Sequence, residues 1–326
     1  MDIIQAIWEA LAVGDAMGMP TEFMTQQDID RIYPGIQGLL EPAHSLTHSN
    51  MPYGSVTDDT QQNQYLAFAY VRDRKISLEN TVRALSDWII ECDAIGKKYI
   101  GPSSLKALNA IRHGGDPLEA GRDGTTCGAV MRTPALVLCA GGGSEDHLLA
   151  CIRQGCLPTH NTSQAMEAAA AYGFALRAAI EGSSLENILE SADRGGDAGM
   201  NSAQWIAAAP RCSRRLWRLE ADIRRGVSDE ALRQELYYVY GTGLASIDVY
   251  TAAMAVFLQK REDVFGGICL AASLGGDTDT IAALAGALCA AYAGGHNIPE
   301  AVLRSVLTEN NLHLDALSAD IRRTFW

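Results

Sequence analysis

The chain is short of positive charge: 26 lysines and arginines stand against 39 aspartates and glutamates, for a formal net charge of −13. No global positive field exists to draw in a nucleic-acid backbone or an anionic membrane, so neither is expected as a partner. The arginines that do cluster, Arg211, Arg214, Arg215, Arg218, Arg224 and Arg225 around Trp217, read as a solvated helical face. Long apolar runs are also missing. The stretches at 167–180 and 281–293 are too short or too interrupted for the roughly 20 residues that cross a bilayer. The N-terminal stretch carries acids and no basic flank, which marks an amphipathic helix and not a signal peptide; the cytoplasm is the expected compartment. The eight cysteines lie mainly in apolar, alanine-rich segments without a paired Cys-x-x-Cys motif. Buried thiols are therefore expected in place of zinc ligands or disulfides.

Strand signals are nearly absent as well, and helical periodicity fills the sequence. It predicts helices at 3–13, 58–72, 78–91, 103–112, 147–153, 163–180, 185–192, 229–239, 249–259, 264–272, 278–293 and 299–308. An all-α fold follows. Small residues recur at close spacing, as in Ala282, Ala283, Ala285, Gly286 and Ala287, so these helices can pack tightly. No repeat, low-complexity tract or long linker divides the 326 residues, and a single domain over 1–326 is expected. The stretch 34–53, with His44 and His48, reads as a long loop; such loops are often functional, but a surface excursion with solvated histidines accounts for it equally.

Two segments carry the chemistry. Ser55-Val56-Thr57-Asp58-Asp59-Thr60 sets adjacent carboxylates and hydroxyls where a loop enters a helix. Leu274-Gly275-Gly276-Asp277-Thr278-Asp279-Thr280 repeats that build before an apolar helix. Each alone is explained by helix capping, with Thr57 as cap and acids compensating the helix dipole. Together they favour an oxygen-rich site for hard divalent cations, because four carboxylates brought together repel unless cations neutralise them. A third segment, Gly14-Asp15-Ala16-Met17-Gly18 followed by Glu22, reads as a helix ending in a glycine turn and then an acid.

Taken in order, Gly-Asp-Ala-x-Gly with Glu22, Thr57-Asp58-Asp59-Thr60 and Gly275-Gly276-Asp277-Thr278-Asp279-Thr280 resemble the hallmark motifs of the ADP-ribosylglycohydrolase family. That family includes the dinitrogen-reductase-activating glycohydrolases. Gly101-Pro102-Ser103-Ser104, Gly128-Ala129-Val130-Met131-Arg132-Thr133-Pro134 and Thr159-His160-Asn161 extend the resemblance from about residue 3 to residue 300. It implies a compact orthogonal helical bundle holding two Mg²⁺ or Mn²⁺ ions. Thr57, Asp58, Asp59, Asp277, Asp279 and Thr280 then look like metal ligands, with Glu22 a ligand or gate. The implied reaction is hydrolysis at the anomeric carbon of a ribose, and the implied partner an ADP-ribosylated protein or a small ribosyl compound. Thr125, Thr126, Cys127, Gly128 and His160, with Gly275 and Gly276, match substrate-side positions. His160 reads nearly as well as support for the helix starting at Ser163. Arg132 reads as a buried structural ion-pair partner before it reads as a substrate clamp.

The chain departs from the family pattern at three places. Cys127 and Ser273 stand where relatives commonly carry asparagine, which removes an amide donor and acceptor at each. Tyr99 stands where an acid often precedes the segment matching Gly101; the nearest acid is Asp93. The resemblance is then similar to a bacterial branch associated with nucleoside use, which keeps smaller ribosides open as substrates and a non-catalytic, ligand-binding relative open as a third reading. The general base stays unassigned among Glu22, Asp58, Asp59 and Asp93.

Overall fold

At least nine helices open with the same local device, and six illustrate it. Asp2, Ser77, Ser144, Thr162, Ser184 and Ser228 each sit just before a helix and accept a hydrogen bond from a backbone N–H of its first turn. Such caps contribute about 1 kcal/mol apiece. The structure, a computed structural model, describes residues 2–326 and is all-α, with no strand among the described residues.

In chain order the helices are α1 Ile3–Gly18, α2 Gln26–Ile32, α3 Asp58–Asp73, α4 Leu78–Glu91, α5 Pro102–Arg112, α6 Pro117–Ala120, α7 Gly128–Met131, α8 Thr133–Ala140 and α9 Glu145–Cys156. They continue as α10 Ser163–Ile180, α11 Leu185–Ser202, α12 Cys212–Arg224, α13 Asp229–Glu235, α14 Ser246–Lys260, α15 Val264–Ala272, α16 Thr278–Ala293, α17 Glu300–Glu309 and α18 Leu314–Phe325. A π-turn, Leu236–Tyr240, continues α13.

A single domain is the sequence expectation; by packing, the chain resolves into two units interleaved in sequence. The first comprises the chain up to Thr60, Arg214–Leu244 and Asp248–Asp315; the second comprises Gln61–Ser213, Ala245–Ile247 and Ala316–Trp326. In the first, α1 packs on α16 and α15. In the second, α10 packs on α11, α9, α8 and α7. Both α10 and α16 are buried along nearly their whole length, which their alanine-rich, all-round apolar sequences require.

Several boundaries differ from the sequence expectation, for one physical reason. Helix α1 was expected to end at Val13 in a glycine turn, yet it runs to Gly18. A Cβ at Gly14 would fall 2.3 Å from Ala282 O, and one at Gly18 2.3 Å from Thr278 O. These glycines are where α1 crosses the backbone of α16, not where α1 stops. Likewise α11 was expected to end at Ala192 but continues through Gly195, Gly196 and Gly199, which face α10. Helix α8 has no counterpart in the sequence expectation because it is buried on every side and so shows no period.

The arginine cluster is largely matched by acids. Arg211 binds Glu167 and Asp197, Arg215 binds Asp248, Arg224 binds Glu220, and Arg225 binds Asp222. All eight cysteines are free thiols. Among the described residues no helix is long and apolar enough to cross a membrane.

Candidate metal centre

The site in the first unit is built on the start of α3. The first backbone N–H groups of a helix lack partners within it. Here a buried acid from another helix supplies them. Asp15, completely buried in α1, takes the Thr57 N–H at 3.0 Å from both carboxylate oxygens and the Thr60 N–H at 3.0 Å on Oδ2. The Thr57 hydroxyl donates to Asp15 Oδ1 at 2.7 Å and the Thr60 hydroxyl to Oδ2 at 2.5 Å. Asp15 therefore caps α3. Burial pushes the Asp15 carboxyl above its ordinary value, while these bonds act in the opposite direction.

The start of α16 faces the same place. Asp277 precedes the helix, but its side chain makes no capping bond. The Thr280 hydroxyl instead lies 3.1 Å from both Asp59 Oδ2 and Asp277 Oδ1, and the Thr280 N–H donates to Asp279 Oδ1 at 3.0 Å. Thr57 Oγ1 is 3.4 Å from Asp279 Oδ2. Capping thus fails as a sufficient account of both motifs.

Gly275 and Gly276 adopt left-handed φ values of 80° and 81°. This lets Gly276 exchange backbone hydrogen bonds with the 23–24 segment, Phe23 N to Gly276 O at 2.7 Å and Gly276 N to Met24 O at 3.2 Å. Thr242 O accepts from Asp277 N at 2.7 Å, and a Cβ on Gly276 would fall 2.1 Å from that same oxygen. The glycines bring Glu22, next to Phe23, toward the Asp277 turn. Glu22 Oε2 is held at 2.8 Å by the Thr47 hydroxyl and at 2.9 Å by His48 Nε2. His48 is buried, so the loop 34–53 is not a solvated excursion at this point.

Carboxylate oxygens of Asp15, Asp59 and Asp279 lie within 4.8 Å of one another, as do those of Glu22, Asp277 and Asp279. All are buried. The Asp279 carboxyl is pushed well above its ordinary value by burial and then by the charges of Glu22, Asp277, Asp59 and Asp15. The Asp59 carboxyl is raised by burial and by Asp58, Asp15 and Asp277. An oxygen-only donor set under this mutual repulsion suits hard divalent cations, which would relieve it. The expected ligands Glu22, Thr57, Asp58, Asp59, Asp277, Asp279 and Thr280 all belong to this unit. Asp58 is half-buried and outside both three-acid groups.

Sequence reading missed Asp15, Thr47 and His48. Asp15 lies in the Gly14–Gly18 segment and His48 in the loop 34–53, but nothing local assigns either its contact. Asp93, a candidate base, belongs to the second unit, exposed in a turn after α4 with a φ of 50°.

The second unit carries the other expected residues. Thr126 Oγ1 lies 2.9 Å from His160 Nε2, and Thr125 O accepts from both the N–H and the hydroxyl of Ser246. Cys127 and Gly128 follow, both buried. Thr162, not His160, caps α10 by accepting from Ala165 N.

The ADP-ribosylglycohydrolase family profile matches residues 1–325 and so spans both units. The chain belongs to the ADP-ribosylglycohydrolase family. It is 31% identical over 309 residues to the uncharacterized protein YegU of Escherichia coli strain K12, covering 92% of this chain and 90% of that one. The bovine ADP-ribosylhydrolase ARH3 is 33% identical over 107 residues, 30% of this chain and 29% of that protein. A solved structure described as an ADP-ribosylglycohydrolase-related protein complex superposes with a TM-score of 0.70 at 26% identity, covering 100% of this chain and 98% of that one. As a member of this family the protein is a glycohydrolase with the family's all-α fold, and its clustered acids are able to hold metal.

Proposed function

We propose that this glycohydrolase, acting as one domain over residues 1–326, uses two Mg²⁺ or Mn²⁺ ions to hydrolyse the bond at the anomeric carbon of an ADP-ribosyl substrate. The reading rests on the two three-carboxylate groups that share Asp279. Two adjoining oxygen-lined positions suit a pair of hard cations. Glu22, Asp59, Asp277 and Asp279 would hold such cations, which would supply positive charge to orient ribose oxygens and lower the pKa of a nearby water.

The chain's own residues do the positioning and the proton transfer. Thr280 fixes the angle between Asp59 and Asp277, and Asp15 fixes the turn from which Asp59 projects. Glu22 has one oxygen steadied by Thr47 and His48 and is the carboxylate we assign to proton transfer at the reacting oxygens, with Asp58 the alternative. Thr126 of the Thr125–Gly128 segment, backed by the buried His160, offers a neutral hydroxyl for a sugar or phosphate oxygen.

Hydrolysis of ADP-ribosyl-arginine, ADP-ribosyl-serine and free nucleosides, measured with added Mn²⁺ and with chelator, tests the reading. Turnover of an ADP-ribosyl substrate, lost with chelator and in Asp277→Ala, is the expected result. Turnover of nucleosides alone moves the substrate to smaller ribosides. Absence of Mn²⁺ binding in a calorimetric titration overturns the metal assignment.

A further inference from the structure

Arg132 plays no part in the reading above, yet it is completely buried at the end of the segment that begins with Thr125–Gly128. Three neutral oxygens hold its guanidinium. Nε donates to Gln62 Oε1, Nη1 to Thr159 Oγ1 and Nη2 to Ser104 Oγ, each at 2.7 Å. Thr159 Oγ1 also lies 2.7 Å from His160 Nδ1, and His160 Nε2 lies 2.9 Å from Thr126 Oγ1.

Proton direction along this chain is decided from the arginine end. A guanidinium has donors only and stays protonated, so Thr159 Oγ1 must accept from it. Thr159 is completely buried, and its own hydroxyl hydrogen needs an acceptor. The atom in place to take it is His160 Nδ1. The imidazole then carries its proton on Nε2 and donates to Thr126 Oγ1. Burial, and after it the Arg132 charge, hold His160 well below the ordinary histidine value, so the ring stays neutral. Thr126 is half-buried, and its hydroxyl hydrogen is left to point elsewhere.

We propose that Arg132 is a positioning residue: through Thr159 it sets His160 as the neutral Nε2–H tautomer and so leaves the Thr126 hydroxyl free to donate to a substrate oxygen. The opposite tautomer would consume that hydrogen on Nε2 and present only lone pairs. The arginine thereby selects for acceptor oxygens, such as those of a phosphate or carbonyl group, over hydroxyl donors at this place. The inference rests on the glycohydrolase reading only in taking Thr126 as part of the loop that meets substrate.

The ring state is read without substrate, by long-range ¹H–¹⁵N correlation on the full chain labelled with ¹⁵N-histidine and assigned through His160→Gln. The wild type is expected to show a neutral Nε2–H ring at neutral pH. Thr159→Val cuts the relay while keeping Arg132. It should mix the tautomers and raise KM for an ADP-ribosyl substrate about tenfold with little change in kcat, and Thr159→Ser should restore both. Thr126→Val, at the far end, should raise KM without altering the ring. An Nδ1–H or cationic ring in the wild type overturns the proposal, as does a ring that changes state in Thr126→Val or a folded Thr159→Val with the wild-type ring. Failure to turn over any ribosyl substrate counts against the glycohydrolase reading alone, since the ring state is measured independently of it.

Discussion

Thr57 is tied to Asp15 through backbone and side chain at once, its N–H 3.0 Å from both carboxylate oxygens and its hydroxyl 2.7 Å from Oδ1. The acidic start of α3 is thus held by α1. Helix α1 in turn lies against α16, where the other acids begin. One buried carboxylate, which caps α3 and also belongs to the group with Asp59 and Asp279, links both halves of the centre.

Asp15→Asn keeps the shape but places an amide N–H₂ against the N–H and hydroxyl donors of Thr57 or Thr60. Leaving buried donors unmatched costs about 1–3 kcal/mol, so thermal unfolding of the metal-free protein should move down. Residues that orient a metal ligand typically cost 10–100-fold in affinity when lost, and Mn²⁺ binding by calorimetry should weaken by at least about tenfold. A folded Asp15→Asn with wild-type affinity would show that the capping is structural only.

Much of this centre was legible from residue types. Asp58-Asp59 and Asp277-Thr278-Asp279 announce themselves because acids and hydroxyls gather at the starts of two helices. The role of Asp15 was not legible, because its partners Thr57 and Thr60 are 42 and 45 residues away. Gly14 and Gly18 were misread for a related reason. A glycine that breaks a helix and a glycine that admits another backbone look alike locally, and only the packing of α1 on α16 separates them. His48 lay in a loop without periodic pattern, where no local signal points a histidine inward.

Asp59 and Asp279 make a prediction about pH. Both carboxyls are raised in the folded protein, so folding takes up protons that the unfolded chain releases. Their contribution is fully present below the unfolded value of 3.8 and is lost as pH rises through the folded one. Above the folded values the metal-free protein carries a repulsion that a bound divalent cation would relieve. Thermal melts should show a larger Mn²⁺-induced gain at about pH 7 than at about pH 5, reaching about 2.7 kcal/mol when free Mn²⁺ is 100-fold above its dissociation constant. Asp279→Asn should raise the melting temperature of the metal-free protein at neutral pH and abolish the gain. If instead the metal-free variant melts lower, repulsion is not the controlling term.

Gly18→Ala tests the helix crossing. Its methyl group would meet the α16 backbone at Thr278 O and Asp279 Cα, atoms that cannot rotate away. Overpacking of this kind costs about 3 kcal/mol, and denaturant unfolding should report a loss of that order together with weaker Mn²⁺ binding. Gly38→Ala is the control, since nothing lies within 4 Å of a Cβ there. It should stay within about 0.5 kcal/mol of the wild type. Equal losses in both variants would mean that the crossing does not set the cost.

His48 and Thr47 both bind Glu22 Oε2, which leaves Oε1 as the oxygen available for chemistry. If Glu22 moves a proton in the reaction, its aim matters more than its mere presence. His48→Ala removes one of two bonds that hold it and should lower kcat by about 10–100-fold with a smaller effect on KM, the range seen when a supporting hydrogen bond behind an active carboxylate is lost. His48→Gln, whose amide can reach the same oxygen with an N–H donor, should recover much of that loss. Thr47→Val should act in the same direction, and the double variant His48→Ala/Thr47→Val should fall short of the product of the two single effects, because both act through one carboxylate. Steady-state kinetics on the four variants decides it: independent, multiplying effects would place Thr47 and His48 in separate roles and release Glu22 from its assignment to proton transfer.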